Sequence, residues 1–201
     1  MAEAAGYQFE YSGGELCLDF ANTLGDRPRG HEEHLAGWPD VIAWSEQARV
    51  ISTREAAALR SAGGRGAGRA FTRAIALREC LYRVFAALAA GRTPARDDVE
   101  ALNRFLRDAI PHARVVGRTG GFAWGWSDDG PPADRLLWPV VRSAADLLVS
   151  AERSGVRECA SGTCSWLFVD RSRTRKRRWC SMKTCGNRAK VRRFYARHLR
   201  P

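Results

Sequence analysis

Apolar positions first recur with helical spacing at Trp38-Pro39, where Pro stands in a first turn and Val41, Ile42, Trp44 and Ala48 form a short apolar face. Ser52 followed by Glu55 is a capping-box pattern for a helix through TREAAALRSA. After a break at GGRGAG (63–68), Ile75, Leu77, Leu81, Val84, Phe85 and Leu88 predict a long central helix from Arg69 to Ala90. Thr93 as cap and Pro94 as first residue predict the next, with Val99, Leu102, Phe105 and Leu106 on its apolar side. The period then changes. ARVVGRTGGFAWGWS has two β-like runs about Arg118-Thr119-Gly120-Gly121, a predicted hairpin, and Ala133 to Arg153 returns to helix. Nearer the start, alternating Tyr7, Phe9 and Tyr11 suggest a short strand turned by Gly13-Gly14, and LCLDFANTL (16–24) a strand end running into a short helix.

These elements predict an α+β chain. A mainly helical domain with a small antiparallel hairpin occupies residues 1–155, with a composition that predicts independent folding, and a smaller unit occupies 156–201. Charge divides at the same place. Residues 1–156 hold 19 Lys and Arg against 20 Asp and Glu, whereas residues 157–201 hold 14 against two, Glu158 and Asp170. The whole +11 excess therefore sits in the last 45 residues, which points to a polyanion-binding module on a near-neutral body. No apolar run reaches the ~18 residues of a membrane span. With no basic stretch and apolar core at the N-terminus, the expectation is a soluble, cytoplasmic protein that does not engage membranes.

Cysteines divide likewise. Cys17 and Cys80 lie in apolar contexts and read as buried thiols. Cys159, Cys164, Cys180 and Cys185 form two C-x4-C pairs separated by fifteen residues. In a reducing compartment such pairs favour a metal over disulfides or a redox pair, and four thiolates close a tetrahedral site with no position left for substrate. The prediction is one structural Zn2+, without which a 45-residue module has too little core to fold. Trp166, Phe168 and Trp179 are expected beside the metal. Val169 to Trp179 is expected to form a hairpin carrying Arg171, Arg173, Arg175, Lys176, Arg177 and Arg178.

Beyond Met182 the chain reads as helix, giving a treble-clef-like hairpin and helix. At 100° per residue Val191, Phe194, Tyr195 and Leu199 fall on one side, expected to face the zinc core. Gly186, Ala189 and Ala196 interleave with Lys190, Arg193, Arg197 and Arg200 on the other, a face suited to approaching nucleic acid. Asp170, the only acid from Cys159 onward, is expected to pair with Arg188, and Asn187 to bond the backbone or a cysteine sulfur, so these three support the site.

The run CASGTCSWLFVDRSRTRKRRWCSMKTCGNRAKVRRFYARH closely resembles the CGNR-type zinc finger of bacterial proteins, with the tetrapeptide at Cys185-Gly186-Asn187-Arg188. GGELCLDFANTL, with Trp44 and Asn103, is similar to the ABATE domain that usually precedes that finger, over about residues 10 to 150. The resemblance implies a stress-induced transcriptional regulator of bacteria with a mostly helical N-terminal part and a zinc-binding, DNA-binding C-terminal module.

Other chemistry finds little support. His31-Glu32-Glu33-His34 has its histidines three apart, where a zinc protease needs four. GGRGAG lacks the Lys and preceding strand of a phosphate loop. Asp19 and Asn22 could line a site, although caps and turn bonds are the commoner use. Trp38, Trp44, Trp124, Trp126 and Trp138 could line an effector pocket or form aromatic core. Three classes remain: a regulator binding duplex DNA, a protein of the transcription machinery or RNA using the same finger, and an enzyme, for which no motif speaks. Oligomeric state is left open.

Overall fold

The computed structural model describes residues 7–29, 32–62, 66–129, 131 and 133–198, with Arg197 as backbone only. Helix α4 (Ala67–Ala89) is the centre of the body because Leu77, Leu81, Val84 and Phe85 recur on one face, and all four are fully buried. Short α1 (Leu16–Ala21) lies on α4 and on α6 (Trp138–Val149), and α5 (Arg96–Ala109) closes the other side of the same pair. Helix α2 (Trp38–Gln47) adds Val41, Ile42 and Trp44 to the core. Helix α3 (Thr53–Ser61) is set by the capping box read in the sequence: the Ser52 hydroxyl accepts from Glu55 N at 3.3 Å and the Glu55 carboxylate from Ser52 N at 2.8 Å.

Hairpin β3 (Ala113–Arg118) and β4 (Gly121–Trp126) also forms as read, with Arg118 opposite Gly121 and Gly120 at φ +86° in the turn. It is fastened to α6 by aromatic contacts, Trp126 on Trp138 and the Arg142 guanidinium 3.9 Å over Trp124. Of the tryptophans, Trp44 and Trp138 are buried in the core, Trp38 and Trp126 are half-buried and Trp124 is exposed.

Three local expectations differ from the structure. Helix α5 starts at Arg96, not Pro94: Ala95, extended at ψ 142°, is its N-cap, and Asp97 and Asp98 place negative charge in the first turn where the helix dipole favours it. In LCLDFANTL the helix comes first, and two-residue β1 (Leu24–Gly25) follows to pair with β2 (Glu32–Glu33). Among the described residues, Tyr7 to Tyr11 pairs with no strand. Instead the Gln47 amide accepts from Phe9 N at 3.1 Å and donates to Tyr7 O at 2.9 Å, taking the place of a neighbouring strand.

The two parts of the chain meet through β5 (Val156–Glu158) and β6 (Leu167–Val169), an antiparallel pair packed on α1 and α4. Val156, Leu167 and Val169 belong to the core of the helical body. Phe168, pointing to the opposite face as strand alternation requires, belongs to a second cluster with the four C-terminal cysteines. Asn22 fixes this junction: its side-chain oxygen accepts from Leu167 N at 2.7 Å and its amide donates to Leu167 O at 2.9 Å, all buried. Val169 N donates to Gly13 O at 2.9 Å.

Burying Val156, Leu167 and Val169 is worth about 2 kcal/mol each, a sum comparable with the whole stability of a small domain. Although composition predicts an independent body, residues 1–155 expressed alone should therefore lack a cooperative thermal transition, while the full chain melts as one unit. Calorimetry of both checks this.

Asp19 supplies a second test. Its carboxylate accepts from Gly13 N at 2.7 Å, and burial pushes its pKa up to about 7. Because the native value exceeds that of the unfolded chain, the folded state binds the proton more tightly. Its contribution to stability is full below about pH 4 and is lost as pH rises to about 7. Asp19→Asn keeps the acceptor without the charge. It should raise Tm at pH 8 and flatten the decline between about pH 4 and 7 that the parent shows in melting curves.

Candidate metal centre and basic surface

Each cysteine pair is held by its own backbone turn. Cys159 and Cys164 lie at the end of the β5–β6 hairpin, where Cys159 N donates to Trp166 O at 2.9 Å and Cys164 N to Ser161 O at 3.0 Å. Cys180 precedes, and Cys185 lies in, a wide helical turn, Met182–Gly186, which leads directly into α7 (Asn187–His198). Ala160 N donates to Arg178 O at 2.8 Å and ties the two turns together.

All four sulfurs lie within 4.8 Å of one another, and all four residues are buried. Cys164 Sγ is 3.8 Å from Cys180 Sγ, and Cys180 Sγ 3.7 Å from Cys185 Sγ. A tetrahedron with zinc–sulfur bonds of about 2.3 Å has edges of about 3.8 Å. The donor set and spacing fit one zinc with every position taken by protein. Phe168 is buried against the cysteines, and Trp166 and Trp179 pack on them as the sequence suggested. Cys17 and Cys80 sit elsewhere in the body, both buried, and burial pushes the Cys17 thiol up to about 12.

The supporting residues divide differently from expectation. Arg188 does not reach Asp170; its guanidinium donates to Cys185 Sγ at 3.2 Å, neutralising part of the thiolate charge. Asp170, fully buried, is instead the anchor of the following loop, accepting from Ser172 N and Arg177 N, each at 2.9 Å. Asn187 bonds the backbone, donating to Lys183 O at 3.0 Å.

Residues 170–179 form an irregular loop, and the finger's hairpin lies one segment earlier, in β5–β6. RSRTRKRR has no alternating apolar residues to hold a strand pair, so the Asp170 carboxylate shapes the loop in their place. Two of its arginines turn inward. Arg171 pairs with Glu15 and Glu152 and donates to Gly14 O at 2.7 Å. Arg177 lies 4.3 Å over the Phe168 ring and donates to Trp179 O, Cys180 O and Ser12 O. Both therefore join finger to body rather than facing a ligand. Arg173, Arg175, Lys176 and Arg178 remain exposed, as do Lys190 and Arg193 on α7. The Arg197 side chain, Leu199 and Arg200 lie outside the described residues.

Helix α7 is turned the opposite way from the sequence reading. Arg188, Ala189 and Arg192 form the side nearest the zinc turns, Arg192 reaching Ser161 Oγ at 3.3 Å. Val191, Phe194 and Tyr195 are 52%, 57% and 55% exposed. Hydrophobicity alone predicted them inside, but the zinc cluster is already closed by Phe168, Trp166 and Trp179. Arg192 and Asn22 are the functional contacts sequence reasoning missed: one reads as another finger cation, the other as a turn residue.

Between α7 and the body lies a cleft of about 700 Å³, whose walls differ in charge. Glu10, Asp26 and Glu32 line the body side, and Lys183, Arg188 and Arg192 the finger side. His34 lines it too, stacked 4.3 Å from Tyr7, while Glu33 pairs with Arg78. His31 lies outside the described residues. Among the described residues, the four cysteines are the one cluster able to hold a metal.

Mass spectrometry under native conditions should find one zinc per chain, and Cys180→Ser should abolish stoichiometric binding. Arg188→Ala should keep the ligands but weaken zinc retention against a chelator by roughly 10- to 100-fold.

Comparison with known families places both parts. Residues 14–151 match ABATE, described as "Putative stress-induced transcription regulator", and residues 156–198 match the CGNR zinc finger. No curated protein sequence matches the chain. Because the first match spans more than half of the 201 residues, the chain belongs to the ABATE family, and its CGNR finger holds one structural zinc through Cys159, Cys164, Cys180 and Cys185.

Proposed function

We propose that this protein is a bacterial, cytoplasmic transcriptional regulator whose zinc finger binds duplex DNA and whose helical body regulates that binding. The observation that carries this reading is the finger's unpaired cationic surface. Among the described residues Arg171 is its one ion-paired cation, so Arg173, Arg175, Lys176, Arg178, Lys190 and Arg193 stand without acidic partners on a body close to neutral. Arginine suits bidentate phosphate and base-edge contacts. A closed zinc site gives such side chains a rigid base and leaves no vacancy for catalysis.

The body is read as regulatory rather than enzymatic because its charged groups serve packing: Arg27 pairs with Glu79 and Arg78 with Glu33. The cleft beside α7 is the natural place for control, since an effector held there would touch Arg188 and Arg192, the two side chains that seat the helix.

Neutralising about five to seven phosphates would give a log-log salt slope of roughly −4 to −6 on duplex DNA. Arg193→Ala should flatten the slope by about 1 and leave zinc content and Tm unchanged, whereas Arg171→Ala should lower Tm. Fluorescence anisotropy over a salt series, with calorimetry, checks both. A slope near zero for the parent would exclude the reading.

A further inference from the structure

The side of α7 that runs from the mouth of the cleft, which Val191 lines, out into solvent has a composition unusual for a solvated basic helix. Val191, Phe194, Tyr195 and His198 fall within an arc of about 100° at helical spacing, and the first three are more than half exposed. Lys190 and Arg193 border this arc on one side, Arg188 and Arg192 on the other. The strip is thus aromatic in the middle and cationic along both edges.

Its rings already stack. Phe194 lies 4.2 Å from the His198 imidazole at 24°, and Tyr195 stands edge-on to Phe194 at 5.9 Å. Neither aromatic ring has a place in the zinc cluster or in the core of the body. Keeping two aromatic rings and a valine in water has no benefit to folding, so the arc is explained by what covers it in use.

Charge selects the occupant. A cationic border excludes a basic partner and attracts a polyanion, and flat rings between cations match bases stacked beside their phosphates. Lipid binding scales with the apolar area a helix can bury, and this arc offers only two rings and one valine between its cationic borders. We propose that Phe194 and Tyr195 stack on unpaired bases, so that the finger recognises nucleic acid whose bases are unstacked, in a melted duplex or a single strand, in preference to intact duplex. This rests on the nucleic-acid reading above and narrows it: phosphates are held by the loop and helix cations, and the opened bases by the rings.

The test uses the zinc-loaded full chain and four labelled probes of one sequence: a 24-mer duplex, the same duplex with a four-base bubble, its single DNA strand, and the corresponding RNA strand. At one salt concentration the bubble and single-strand probes should bind at least tenfold tighter than duplex. Phe194→Ala and Tyr195→Ala should each lose roughly 5- to 100-fold on those probes. Duplex affinity, salt slope, zinc content and Tm should stay at parent values, and Phe194→Trp should restore binding. Comparing the DNA and RNA strands identifies which source of unpaired bases is preferred.

Alanine variants that bind bubble and single strands as the parent does would overturn the stacking while leaving duplex binding intact. So would loss, in the same variants, of binding to anionic phosphatidylserine vesicles or of a concentration-dependent dimer, since the arc would then serve a membrane or a second copy. Failure of the parent to bind any probe at low salt would remove the proposed function itself, and the stacking with it.

Discussion

The alternation of one three-residue strand holds the molecule together. Leu167 and Val169 point into the helical body and Phe168 into the zinc cluster, so a single stretch of backbone is wall to both cores. Such a strand cannot shift by one residue without exchanging its apolar faces. Asn22 makes that register unambiguous, because its amide meets both backbone groups of Leu167 and leaves neither unpaired in a buried place. A residue on α1 thus fixes the geometry from which Cys159 and Cys164 are presented.

This arrangement explains why the finger's arginines divide into two kinds. Those nearest the strand, Arg171 and Arg177, are drawn to the carboxylates and carbonyls of the body. Glu152 and Glu15 push the Arg171 guanidinium above its ordinary pKa, so the cation of this junction stays charged. Among the described residues, the cations farther along the loop and on α7 form no ion pair. A net charge of +12 in the last 45 residues is therefore part mortar and part surface, and only the second part is available to a polyanion.

Much of this was legible in the chain. Ser52 and Glu55 announce α3, the spacing of Leu77, Leu81, Val84 and Phe85 announces α4, and the cysteine pairs identify the zinc site before any coordinates. What could not be read were contacts whose partners lie far apart in sequence. Nothing local marks Asn22 as the partner of Leu167, 145 residues on, or separates Arg171 from Arg173 by role. The outward turn of α7 was illegible for a different reason. Helical spacing identifies an apolar side but not whether a core remains for it to cover, and here Phe168, Trp166 and Trp179 had closed the zinc cluster.

Helix α7 is consequently held by polar contacts. Its first turn grows out of the turn that carries Cys185, and Arg188 and Arg192 tether it to a ligand sulfur and to Ser161 in the opposite cysteine turn. Hydrogen bonds of this kind are worth about 1 kcal/mol each, or somewhat more when charged, far less than a buried apolar face would contribute. The helix is thus oriented firmly at its zinc end and only lightly along its length. The same two arginines line the cleft against Glu10, Asp26 and Glu32, so on the proposed reading an effector held there would act on the contacts that set the helix's direction. Such control would reach the helix through one contact in a cysteine turn, Arg192 on Ser161, and one on a ligand sulfur, Arg188 on Cys185, so it would be felt at the metal site as well.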